Sequence, residues 1–544
     1  MSNKILRGTV LLTGAAFLSK FLGMIYVIPF NELVGDQGGE LYYYAYNPYT
    51  ILISISTIGI PLAVSKIVSK YNSLGHYDIG LKVFRASLML MVITGFLAFV
   101  TLYFSSGWLA SKFIYNEDEY GNSVEDVKQV IQMVSFALLI IPGMSVVRGF
   151  FQGNQVMEPT AISQVIEQIA RIAVVLISAF IVIKIYNGSI VLAVSFSTFA
   201  AFIGALASCL VLLYFWRKNK QKLRENVNVS KSPLHITTKE IVYELFSYAG
   251  PFVLVGIAIP LYQTVDSFTF NRAMTVGGYE EIIQVSLATI NLYGHKLISI
   301  PVTIATGLSL TIVPALTESF TKNERPKLFK EMNQALQIVL FFVIPAVIGL
   351  IALSHEAYGS LFGMEDIELT GSLLAWYAPV ALLFALFTVT AAILQGINEQ
   401  RFALVSLSAG FLIKVLFNSV LIHAFAGKGS IFATGLAVGV AVLLNLWKIK
   451  RAILFSFTQT LKRLLFMVIF SLIMWLVIWL TKLGLGFFLP FHEDRVAAIV
   501  MLIIGVAIGA LVYLFLAYKS TLMEYVLGET NILDRFRRKK RANR

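Results

Sequence analysis

Apolar residues in this chain are gathered into runs of about 20, the length an α-helix needs to cross a hydrocarbon core of roughly 30 Å. Fourteen such runs fit along the 544 residues, near 8–30, 45–68, 84–106, 129–150, 161–184, 190–215, 245–270, 284–314, 333–354, 372–395, 402–424, 430–449, 463–483 and 496–518. In lipid every backbone N–H and C=O must be satisfied within the segment, so runs of this length have to be helices. Composition agrees: 57% of residues are hydrophobic and 13% charged, far from the averages of soluble domains. The sequence predicts an all-α polytopic membrane protein of about 14 spans. The opening stretch, with Lys4 and Arg7 ahead of apolar residues, has the outline of a signal peptide. Lys20 interrupts it and no small-residue cleavage site follows, so it reads as a retained first span. Spans 11 and 12 are separated only by AGKGS at 426–430, and span 8 is long enough to tilt or break.

Orientation follows from charge. With the N-terminus inside, 32 of the 43 Lys and Arg fall at the inner ends and loops and 7 at the outer ones. That bias places both termini in the cytoplasm. The outer loops lean acidic, as in NEDEYGNSVED (116–126) and MEDIE (364–368). The basic loop at 217–239 and the tail DRFRRKKRANR (534–544) then serve topology and contact with anionic membrane lipid, and the net charge of +13 calls for no nucleic acid.

The chain also repeats itself. FFQGNQ (150–155) follows span 4 and ILQGINEQ (393–400) follows span 10; aligning their Gln-Gly pairs sets an offset of 243 that carries Arg171 onto Lys414. GIPLAVSKIVSK (59–70) and GLSLTIVPALTES (307–319) match more loosely. Two six-helix lobes in parallel repeat are expected, since an even span count gives both copies the same orientation. The domain reading is an N-lobe at 1–220, a basic linker at 221–240, a C-lobe at 241–455, two extra helices at 456–520 and a basic tail at 521–544.

Several chemistries are excluded or left without support. Loops of at most 20 to 30 residues cannot form a soluble domain. There is no phosphate-cradling G-x-x-x-x-G-K-[ST], no H-E-x-x-H and no C-x-x-C, and the lone Cys209 permits no internal disulfide. The reading is therefore not an enzyme, with no metal and no cofactor. Whatever this chain does must come from polar residues at membrane depth. Those are Lys20 in span 1, Glu167 and Arg171 in span 5, Asp266 in span 7, Lys296 in span 8 and Lys414 in span 11. Charge at that depth is costly unless paired or facing water, so each is expected to point into the bundle. Glu167 and Arg171, four residues apart, share a helix face and can pair. Asp266 is open to three roles: counter-ion, coupling-cation ligand or tie between lobes. His295, beside Lys296, points about 100° away around the helix and is read as a packing residue. Four cations against two anions favour an anionic cargo, and lysine grips phosphate as a compact point charge.

Two motifs carry a resemblance. SKFLGMIYVIPF (19–30) resembles the S-R-x-L-G-F-x-R-D opening of the MurJ/MviN family of lipid II flippases, and YGHKLISIP (293–301) resembles their Y-x-x-R-L-x-x-L-P in span 8. With the span count, the duplication and the basic tail, the chain is similar to that family over essentially its whole length, closest to the Gram-positive YtgP/SpoVB-like branch of the multidrug/oligosaccharidyl-lipid/polysaccharide exporter superfamily. The resemblance implies a flippase that moves an undecaprenyl-pyrophosphate-linked peptidoglycan precursor across the cytoplasmic membrane of a bacterium by alternating access. It implies that Lys20 and Lys296 hold the pyrophosphate, that spans 13 and 14 offer a groove to the polyprenyl tail, and that the cell-wall synthesis machinery is the candidate partner of a monomer. Where the family motif continues R-D, this chain has Tyr26 and Val27, which leaves Arg171 or Lys414 to supply the lost charge. Some members bind sodium through an acid in span 7 and an Asn in span 11; Asp266 matches the first, but Lys414 replaces the second and argues against sodium coupling. Two alternatives remain: an exporter of another lipid-linked oligosaccharide or a drug, and a membrane glycan polymerase, for which the outer loops are short.

Overall fold

The computed structural model describes residues 11, 14–15, 18–19, 21–23, 25–54, 59–114, 122–228, 237–491 and 493–527. Among them every regular element is helical. The chain forms two compact units, Met1–Tyr293 with Lys414–Ser430, and Gly294–Ile413 with Ile431–Arg544. This grouping rests on packing, whereas the repeat rests on sequence register.

In the first unit α1 (Val27–Ser54) is two helical segments joined by a kink at Gly35, whose φ of 62° and ψ of −165° suit a residue without Cβ. The helical segment before Gly35 closes span 1, the one after it opens span 2, and α2 (Ile60–Ser73) holds the rest of that run that is described. Then follow α3 (Tyr77–Phe113), α4 (Val124–Gly153), α5 (Glu158–Ile185) and α6 (Ile190–Asn228). Ser123 caps α4: its hydroxyl accepts the Asp126 N–H while the Asp126 carboxylate accepts the Ser123 N–H, satisfying two orphan donors. Span 7 is α7 (Thr238–Gly256) and α8 (Ala258–Val276), broken at Ile257 ahead of Pro260. At the start of α7, Thr237 donates its N–H to Glu240 at 2.8 Å. That backbone bond, with the Thr237 side chain, holds the exposed Glu240 carboxyl below its ordinary range. The unit's apolar core joins Ile60, Val64 and Ile67 of α2 to Val83 of α3, Phe150 of α4 and Leu245 of α7. Gly204 lets α6 lie against α5: a Cβ there would come within 2.8 Å of the Glu167 carbonyl oxygen and 3.0 Å of the Arg171 Cβ.

Span 8 begins as α9 (Ile283–Ala288), widens into a π-turn over Thr289–Tyr293 and resumes in the second unit as α10 (Gly294–Thr321), so the long run changes its helical register without leaving the helix. The second unit continues with α11 (Arg325–Ala352), α12 (Ser354–Phe362), α13 (Ile367–Gly396), α14 (Gln400–Phe425), α15 (Gly427–Ile453), α16 (Thr458–Leu485), α17 (Arg495–Lys519) and α18 (Leu522–Leu527). Residues 414–430 of α14 and α15 belong to the first unit. Between α14 and α15 Ala426 takes φ 51°, which separates spans 11 and 12 where the sequence offered only AGKGS.

Ten helices among the described residues, α3–α6, α11 and α13–α17, are long and apolar enough to cross a membrane. The other four runs are spans 1, 2, 7 and 8, the first two only partly described. Span 7 is divided into two helices and span 8 carries a π-turn, and such irregularities in membrane helices are tolerated where the backbone is buried in protein or lines a cavity.

Candidate functional site: charged groups at membrane depth

Arg171 and Glu167 lie one turn apart on α5, yet they do not pair. The Glu167 carboxylate takes its ion pair from Arg148 of α4, Nη2 to Oε2 at 2.7 Å. Arg148 also donates to Ser208 of α6 at 2.8 Å and through Nε to Ser163 of α5 at 3.0 Å. The i,i+4 expectation is corrected: a guanidinium with several donors and two nearby hydroxyls outcompetes one on the same helix. Arg148 escaped the sequence reading because it sits at the end of its apolar run, where a charge is inexpensive.

Freed of that carboxylate, Arg171 turns to aromatic residues of spans 1 and 2. Its Nη2 donates to the Tyr42 hydroxyl at 3.2 Å, and the guanidinium lies 4.9 Å from the Tyr46 ring centroid. Tyr42 and Tyr46 stack at 4.4 Å with 11° between planes, and the hydroxyls of Tyr26 and Tyr42 are 2.9 Å apart. Tyr26 stands where the helix 1 motif would carry its second arginine, so tyrosines and a span 5 cation occupy that neighbourhood. The run LYYYAYNPYT (41–50) was the available signal, and apolar periodicity alone passed over it.

Lys414 and Asp266, read as separate candidates, form one buried cluster. The ammonium lies 2.8 Å from Asp266 Oδ1, with the two side chains 0% and 3% exposed. Lys414 also donates to the carbonyl and hydroxyl oxygens of Ser430 at 3.1 and 3.2 Å. The same Oδ1 accepts from Asn418 at 2.9 Å and from Ser430 at 2.7 Å. Of the three roles open to Asp266, the geometry gives it that of counter-ion to Lys414, and Lys414 is neutralised in place.

Lys20 lies outside the described residues. Lys296 is half-buried in the first turn of α10, after the π-turn, and its carbonyl accepts from Ser299. Its neighbour His295 places Nδ1 3.0 Å from the Tyr377 hydroxyl of α13, the packing role expected of it. Two further buried carboxylates were missed. Glu40, 2% exposed, accepts from the Asn122 amide at 2.7 Å. Glu356, fully buried, lies 2.6 Å from the Lys482 ammonium and ties α12 to α16. Beside that tie, α11, α16 and α17 frame an apolar cavity of about 390 Å³ lined by Phe341, Pro345, Met474, Ile478, Gly505 and Tyr513.

Comparisons with known proteins agree with this architecture. Residues 5–320 match the polysaccharide biosynthesis protein family. The chain is 44% identical over 530 residues to the Bacillus subtilis lipid II flippase MurJ, covering 97% of each, and 23% identical to B. subtilis stage V sporulation protein B over 80% of each. Among solved structures it is similar in fold to lipid II flippase MurJ in an inward closed conformation, with TM-score 0.68 and 19% identity over 95% of this chain and 99% of that one. An inward-facing multidrug resistance MATE transporter follows the same fold at TM-score 0.62, with 16% identity over 80% of this chain and 94% of that one. This multi-pass membrane protein belongs to the MurJ family, within the multidrug/oligosaccharidyl-lipid/polysaccharide exporter superfamily.

Proposed function

We propose that this chain is a flippase for lipid II, moving an undecaprenyl-pyrophosphate-linked peptidoglycan precursor from the inner to the outer leaflet of a bacterial cytoplasmic membrane, and is not an enzyme. The observation that carries the reading is the 44% identity over 97% of both chains to a protein that bears that activity in its name. The proposal takes both termini as cytoplasmic, on the positive charge of the inner loops, and treats spans 1–6 and 7–12 as the two lobes of an alternating-access cycle. Lys20 and Lys296 supply positive charge to the pyrophosphate. The cavity framed by α11, α16 and α17 supports the further proposal that the last two spans carry the polyprenyl tail. Its walls are apolar and its helices approach closely: a Cβ on Gly505 would meet Leu353 at 2.8 Å, and one on Gly509 would meet Ile478 at 2.9 Å.

Energy can come from the membrane potential. An inside-negative potential favours exit of an anion by about 2.3 kcal/mol per charge per 100 mV. The ammonium of Lys414 occupies the first coordination position of Asp266 Oδ1, which supports a cycle independent of sodium.

The test is transport in vesicles that hold the purified full chain and fluorescent lipid II in the inner leaflet, in parallel with teichoic and capsular lipid-linked units and a cationic drug. Selective movement of lipid II is expected. Equal or greater movement of another lipid-linked glycan would reassign the cargo, and movement of the drug alone would make the protein an antiporter.

A further inference from the structure

Arg171 presents a problem of accounting. A guanidinium carries five N–H donors and a full charge; that of Arg171 is half-buried with its Nε fully covered, and charge withdrawn from water without a counter-charge is costly. Among the described residues no carboxylate lies within ion-pair distance of it, since the nearest on its own helix, Glu167, is taken by Arg148. One donor reaches Tyr42; the Nε–H is buried and bonded to nothing. The hydroxyl of Tyr46, whose ring lies against the guanidinium, is also buried and unbonded. Cation–π contact returns about 0.5–2 kcal/mol, less than an unpaired charge costs. The hydroxyls of Tyr26 and Tyr42 complete the group on buried side chains.

Two orphan donors and an uncompensated charge on rigid aromatic scaffolding suit a ligand with several acceptor oxygens and negative charge. A carboxylate has two oxygens; a phosphate or pyrophosphate has more and matches the guanidinium fork in bidentate fashion. The neutral alternative, a brace between α5 and the first two spans, explains the Tyr42 bond but gives the Nε–H and the Tyr46 hydroxyl nothing to do. We propose that Arg171, with the hydroxyls of Tyr26, Tyr42 and Tyr46, is an oxyanion subsite for the phosphates of the transported lipid. Lys414, the repeat-related cation, has no such role because Asp266 already satisfies it. The inference rests on the lipid-linked pyrophosphate reading above and adds a subsite to it.

The experiment measures binding of undecaprenyl pyrophosphate, undecaprenol and inorganic pyrophosphate to the purified full chain, alongside thermal unfolding. Arg171→Gln should weaken the pyrophosphate lipid at least about 10-fold, the worth of a lost charge-assisted hydrogen bond, with undecaprenol unaffected. Arg171→Lys should fall between. Tyr46→Phe is the sharper variant: its hydroxyl has no partner to lose in the unliganded protein, so a binding loss of about 5-fold with unchanged melting temperature is expected. Competition by inorganic pyrophosphate at matched concentration would assign the subsite to free phosphates, and failure to compete would assign it to the lipid-linked form. Wild-type affinity in both Arg171→Gln and Tyr46→Phe would overturn the subsite. So would loss in Arg171→Gln accompanied by unfolding while Tyr46→Phe binds normally. If wild-type protein fails to bind the pyrophosphate lipid, the flippase reading falls with the subsite; if it binds and the variants match it, the subsite alone falls.

Discussion

Lys414 and Arg171 are the two cations that the repeat expected from the sequence would align at an offset of 243 residues, and the fold treats them oppositely. Around Lys414 every charge is answered: Asp266 faces it, and Asn418 and Ser430 complete the carboxylate's hydrogen bonds. Around Arg171 there is aromatic surface, one hydroxyl bond and two idle donors. Charge count alone would have assigned both to the cargo. The difference teaches that a buried cation points to a ligand only after its counter-ions have been counted.

This contrast predicts a hierarchy of effects. The largest concerns the closed cluster: Asp266→Ala should destabilise the protein by about 3–5 kcal/mol, since it leaves the Lys414 ammonium buried and unpaired. Denaturant unfolding in detergent would show it. Combining Asp266→Leu with Lys414→Met should recover most of that loss, because two apolar side chains of similar volume need no counter-charge. A double variant as unstable as Asp266→Ala would show that the carboxylate does more than answer the lysine. Ser430→Ala removes a hydrogen bond to Asp266 and one from Lys414, and should cost about 1–2 kcal/mol on the same scale. Arg171→Gln gives up one hydroxyl bond and a cation–π contact while relieving an uncompensated charge, so its stability should change by about 1 kcal/mol or less. A loss as large as that of Asp266→Ala would erase the contrast and make Arg171 a structural brace. The smallest effect is expected from replacing sodium by choline during transport: the rate should not change, and a clear sodium requirement would show that a cation can displace Lys414.

Much of the fold was legible because membrane helices announce themselves by length and apolarity. The run at 463–483 lies inside α16, the run at 333–354 fills most of α11 and overruns its end at Ala352 by two residues, and the long span 8 carries a π-turn at Thr289–Tyr293. Partnerships were less legible. Sequence spacing speaks for residues on one helix, and it suggested Glu167 with Arg171; the actual partner, Arg148, comes from another helix. The Lys414–Asp266 bond spans 148 positions and has no local signature. Glu40, Glu356 and Lys482 sit near span ends, where a charge looks inexpensive until the neighbouring helices are packed around it. The tyrosine-rich start of span 2 drew no reading from the sequence, and only the approach of Arg171 from α5 gives it a meaning.

Cations that handle the phosphates of a lipid on its way across the membrane are central to the proposed transport. Cells depleted of their own copy and supplied with wild-type, Lys20→Ala or Lys296→Ala chains can be scored for lipid II in the outer leaflet. Clear loss of outer-leaflet lipid II is expected in each variant at normal protein level. Wild-type exposure in both would contradict it.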